Sequence, residues 1–108
     1  MEDLQQARTL TGVKFQYSGS LLQGLIIYRT HSAFTSSRAI IELIKLVIQS
    51  KSPILMGANR DNPNPYSIGR VLLNKGHSPQ HLSYIIPLLI EDGFCTVDSK
   101  RPFMITKT

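Results

Sequence analysis

Two residues, Ser78 and Pro79, constrain the C-terminal half of this chain more than any other feature. Proline has no amide hydrogen and a φ of about −65°, so an α-helix accepts it best at the first position, and a serine just before it can cap an orphan amide of the first turn. Leu82, Ile85, Ile86, Leu89 and Ile90 then recur at the spacings of a single helical face, and Gly93 is suited to the left-handed turn that closes a helix. The pattern predicts a helix over residues 79–91. Upstream, Ser67 caps a shorter predicted helix over residues 68–74, with Ile68, Val71 and Leu72 as its apolar side and Gly76 as its stop. Only Lys75, Gly76 and His77 separate the two helices, a connection short enough to hold them at a steep mutual angle.

After Gly93, the run FCTVDSKRPFMIT reads as a hairpin with Lys100 and Arg101 at its tip. Residues 38–51, RAIIELIKLVIQSK, form an earlier predicted helix capped from within residues 35–37. Ile40, Leu43, Ile44 and Val47 make its stripe. Ile41, Leu46 and Ile48 widen that stripe past half the circumference, so the helix is either central to the core or shared with another chain. Ile54, Leu55 and Met56 read as a short strand after it. The loop GANRDNPNP follows, in which Arg60 and Asn59 either contact a phosphate or partner, or are satisfied within the loop.

This order resembles the winged helix-turn-helix families, with SPQHLSYIIPLLIEDGF similar to their recognition helix; the likeness covers residues 67–106 and takes in 38–51 as the preceding helix. It implies an α+β fold, three helices plus a wing hairpin, in which the short strand at 54–56 pairs with the wing. It also implies double-stranded DNA as partner. Gln80, His81, Ser83 and Tyr84 are expected to face base edges or nearby phosphates, Gln being able to grip adenine through two hydrogen bonds. Lys75, Ser78 at the helix start, and Arg70 if it projects outward are expected at phosphates, with Lys100 and Arg101 at the backbone or minor groove. Tyr84 has an alternative as a core or interface aromatic. Pro87 departs from the pattern: in mid-helix it cannot donate to the Ser83 carbonyl, which predicts a kink or a local widening.

The N-terminal third is read as an extension, residues 1–35, attached to a winged-helix domain at residues 36–108. Residues 1–10 show no strong period and are expected to be a frayed or short helical arm. Val13 to Tyr17 alternates like a strand, Ser18-Gly19-Ser20 signals a turn, and Leu25 to Tyr28 is a second strand, giving a β-hairpin over residues 13–30. A lone hairpin is marginal in water, so it packs either on its own domain or on a second copy.

Charge enters because the motif uses it. The 108 residues carry 12 Lys and Arg against 7 Asp and Glu, a net +5, and the pI is about 9.7, which favours a polyanionic partner. The helix at 79–91 itself has no Arg or Lys, so affinity is expected to come from its flanks. No stretch is apolar enough to cross a bilayer, and the polar start MEDLQQARTL lacks the pattern of a signal peptide, which predicts a cytoplasmic protein. Cys95 is the single cysteine and reads as a buried, inert thiol.

Neither a catalytic constellation nor a metal or cofactor site is expected. His31, His77 and His81 lack metal-ligand spacing, Glu91 and Asp92 sit at a helix end, and GANRDNPNP lacks the GK[ST] ending of a P-loop. The expected function is therefore a homodimeric transcriptional regulator, not an enzyme. A winged-helix module for protein–protein contact is the alternative. RNA or single-strand binding, with Phe15, Tyr17 or Tyr28 as stacking platforms, is a third reading.

Overall fold

A computed structural model describes residues 4–98 and 100–108. The elements run β1 (Gln5–Arg8), β2 (Lys14–Ser20), β3 (Gly24–Tyr28), β4 (Ala33–Ser37), α1 (Arg38–Lys51), β5 (Ile54–Leu55), α2 (Ile68–Asn74), α3 (His81–Glu91), β6 (Cys95–Val97) and β7 (Met104–Lys107). The fold is mixed α+β. Four N-terminal strands form an antiparallel sheet in the order β1-β2-β3-β4, and the last three strands form a second sheet in the order β5-β7-β6.

The N-terminal sheet is larger than the sequence pattern predicts. The hairpin of β2 and β3 is present, but Gln5–Arg8 is a strand, not a helical arm, and pairs with β2 from Gln5 opposite Tyr17 to Arg8 opposite Lys14. Residues 1–3 of that predicted arm lie outside the described residues. On the far side β4 pairs with β3, Ile27 opposite Phe34 and Leu25 opposite Ser36. Neither outer strand has enough apolar alternation to announce itself; backbone pairing with β2 and β3 creates them. Ser18, Gly19 and Ser20 remain within β2, and the turn falls at residues 21–23 instead. Gly19 is required where it stands: its φ is +92°, and a Cβ there would collide with the Gly24 carbonyl across the pair.

Ser37 ends β4 and begins α1 at once, its hydroxyl accepting from the Ile40 amide at 3.3 Å. The strand therefore feeds the helix with no linker. Ile41, Ile44 and Ile48 of α1 are fully buried and share one core with Leu25 and Ile27 of the sheet, Leu72, Leu82, Ile85, Ile86 and Leu89 of the later helices, and Ile105 of β7. Leu46 is an exception to the predicted stripe; it is 59% exposed.

Both later helices end by the same device. Gly76 and Gly93 take φ +82°, His77 donates to the Leu72 carbonyl at 2.8 Å, and Phe94 donates to the Leu89 carbonyl at 2.9 Å. These are Schellman closures, which satisfy the last carbonyls and turn the chain sharply. Cys95, just beyond, is buried, and burial pushes its thiol up to about 11 against the opposing influence of Lys107. No helix among the described residues is long and apolar enough to cross a membrane.

Candidate nucleic-acid interface

Helix α3 starts two residues later than the predicted 79–91 span, with Gln80 at the N-cap position and no side-chain cap; Ser78 instead bonds inside a tight turn that leads into the helix. Ser78 Oγ accepts from the Gln80 amide at 3.2 Å, and the amides of His81, Leu82 and Ser83 bond to carbonyls three residues back before the regular helix sets in. Pro79 is buried at this first turn. From His81 the helix runs without interruption through Pro87 to Glu91. Leu82, Ile85, Ile86 and Leu89 point into the core as the period demands.

The face predicted to be polar and free divides into two parts. His81 is only 8% exposed: its Nδ1 pairs with Ser36 Oγ of β4 at 2.7 Å, and its ring meets the Phe34 ring edge-on at 5.2 Å. Burial holds this imidazole below its usual range, with His77 adding to the effect, so the neutral ring is favoured. Tyr84 packs edge-on against both Phe15, at 4.9 Å, and Phe34, at 5.2 Å. His81 is thus removed from solvent, and Tyr84 takes its alternative role as an aromatic packed against the sheet. The physical reason is the covering sheet itself: Phe15 and Phe34 need apolar partners, and these two rings supply them.

Arg70 is also diverted. Its Nη2 donates to Asn62 Oδ1 at 3.0 Å and to the Pro63 carbonyl at 2.6 Å, while its Nε is buried and unbonded. The guanidinium ties the 57–66 loop to α2 and does not project outward. Gly69 helps, since its amide bonds to the Met56 carbonyl at 3.0 Å and a Cβ on it would strike the Gly57 carbonyl, so the two ends of the loop are cinched together. Inside the loop Asn59 Oδ1 accepts from the amides of Asp61 and Asn62 at 3.0 and 2.9 Å, the internally satisfied arrangement, and Arg60 stays exposed.

Ser78, Lys75, Lys100 and Arg101 are exposed, and Gln80 and Ser83 are half-buried. Lys75 stands at the end of α2, so with Ser78 and Gln80 it marks the α2–α3 turn. Lys100 and Arg101 stand at the tip of the β6–β7 hairpin, with the Arg101 guanidinium 5.8 Å from the Phe103 ring centroid. Helix α3 packs against both β1 and β6.

Sequence reasoning missed β1 and β4 as elements and so missed what covers α3. The one available signal is Phe34, an aromatic among small polar residues beside a helix cap. Comparison of the chain with protein-family models, with curated proteins and with solved structures finds no match.

Proposed function

We propose that this chain is a small winged-helix DNA-binding protein, a homodimeric transcriptional regulator, that holds double-stranded DNA mainly through its phosphates. The observation that carries the reading is the order α1, β5, α2, α3, β6, β7 with β7 lying between β5 and β6, which is the pairing a wing makes in winged-helix domains. Exposed cations at both the α2–α3 turn and the hairpin tip support it. Full insertion of α3 into the major groove is disfavoured on size. A helix with its side chains is about 10–12 Å across and the groove about 12 Å wide, which leaves no space for strands packed along α3. Gln80 and Ser83 remain as the polar groups able to approach a base edge, and Lys75, Lys100 and Arg101 as phosphate partners.

Three cationic contacts give a definite salt dependence. The logarithm of affinity for duplex DNA is expected to fall with the logarithm of salt at a slope of about −2.7, that is, about 0.9 for each of three phosphates. Titration of fluorescent duplexes of unrelated sequence at two or more salt concentrations measures this. A flat dependence, or no binding at micromolar protein, removes the proposal.

A protein-binding module is the second reading, favoured by the cover that the N-terminal sheet places over His81 and Tyr84. Leu46 on α1 and Leu22 at the β2–β3 turn, 59% and 67% exposed, are among the large apolar side chains open to a partner or to a second copy. Sedimentation of the wild type beside Leu46→Glu tests the homodimer: a dimer that becomes monomeric supports it, and a monomer at high concentration rejects it.

A further inference from the structure

A cleft of about 580 Å³ opens where the β1–β2 turn, the segment after β5, the first turn of α3 and the β6–β7 loop meet. Leu10, Met56 and Phe103 give it an apolar lining, while Thr11, Ser83 and Arg101 bring polar groups to it. The volume is that of a small-molecule pocket, and the mix of apolar wall and few polar groups is the usual one. Its walls are held by bonds of their own. The Met56 amide donates to the Phe103 carbonyl at 2.9 Å, joining two walls. Across the turn, the Thr9 amide donates to the Val13 carbonyl at 2.9 Å and Thr9 Oγ1 accepts from the Val13 amide at 3.0 Å. A cleft built this way needs little ordering when it is filled.

Charge decides the occupant. Arg101 is the cation among the lining residues and none of the described lining residues is acidic; Asp61 and Asp98 belong to the neighbouring loops without lining the cleft. A guanidinium set beside an aromatic ring and an apolar wall offers a two-pronged grip to a carboxylate whose body is apolar. The geometry points to a binding site for a small amphipathic carboxylate, its acid group on Arg101 and its hydrocarbon or aromatic part against Leu10, Met56 and Phe103. Because Arg101 is also a phosphate partner in the proposed function, an occupied cleft competes with DNA; this second step rests on that reading, whereas carboxylate binding does not.

Calorimetry without DNA tests the site, using 2-naphthoate with 2-naphthamide as its uncharged counterpart. The expected result is saturable binding of naphthoate at least tenfold tighter than of the amide. Arg101→Gln should remove that preference, and Arg38→Gln, outside the cleft, should leave both affinities unchanged. Amide-resonance shifts should centre on Leu10, Thr11, Ser83 and Phe103. Equal affinity for the two probes, no binding of naphthoate at millimolar concentration, an unaffected Arg101→Gln variant, or shifts centred elsewhere overturns the site. In a separate arm, naphthoate is expected to weaken duplex binding at least threefold. Naphthoate binding with unchanged duplex affinity overturns the competition, and absence of duplex binding before naphthoate is added overturns the DNA reading while leaving the site intact.

Discussion

The two flanks of α3 receive the same kind of helix and treat it in opposite ways. On one flank the N-terminal sheet closes over His81 and Tyr84, and the polar atom it buries, His81 Nδ1, is matched by Ser36 Oγ at 2.7 Å. Around Ser83, where the β1–β2 turn and the β6–β7 loop line a cleft, the helix stays half-open, and the hairpin carries Lys100 and Arg101 exposed. The lesson concerns how a polar helical face is used. Its fate depends less on its own residues than on whether a distant segment brings aromatic side chains that need cover.

The largest test of this contrast lies in the sheet. Ile27→Ala, on its buried face, should destabilise the fold by about 2–5 kcal/mol. Ile26→Ala, on the exposed face of the same strand, should stay within about 0.5 kcal/mol. Chemical denaturation measures both, and equal losses erase the distinction between the two faces.

Next comes the buried polar pair. Ser36→Ala leaves His81 Nδ1 without its partner and should cost about 1–3 kcal/mol. The pair also predicts a pH dependence with a definite sign. The folded state holds the His81 imidazole below its ordinary value, so the unfolded chain binds the proton more readily as the medium turns acid. Stability from the neutral ring is complete above the unfolded value of about 6.5 and declines as pH falls from there through the lower folded value. Denaturation midpoints between pH 7.5 and 5 measure it. Substituting His81→Gln should flatten that part of the profile, and an unchanged slope places the titration elsewhere.

On the open flank, Lys100→Ala combined with Arg101→Ala should weaken duplex binding by at least about tenfold, ~1.4 kcal/mol, and reduce the salt slope by about 1.8. The same pair of substitutions should leave folding stability almost untouched. A smaller effect is expected of Ser78→Ala, about 0.5–1 kcal/mol of stability in chemical denaturation, through loss of the hydroxyl that accepts from the Gln80 amide in the turn ahead of α3.

Local signals were legible in the sequence wherever one residue type solves one backbone problem. Ser37 and Ser67 cap helix starts, Gly76 and Gly93 mark ends, and helix α1 occupies the span that its period of apolar residues predicts, whereas Ser78 bonds only within the turn ahead of α3. The short strand at Ile54 and Leu55 and its pairing with β7 were also readable. What escaped were features set by pairing at long range. Gln5–Arg8 and Ala33–Ser37 have weak strand character alone and become strands because β2 and β3 offer free edges. Arg70 looks like any surface cation until the loop at 62–63 folds back to meet it. His81 likewise reads as a polar face residue because its partner Ser36 stands 45 positions away.

Amide-resonance mapping of a duplex DNA titration probes the two flanks together and bears most directly on the account. It predicts salt-sensitive shifts at Lys75, Ser78, Gln80, Lys100 and Arg101, with Phe34, Ser36 and His81 unmoved. Shifts concentrated on Phe34, Ser36 and His81, with the hairpin tip and the α2–α3 turn silent, contradict it.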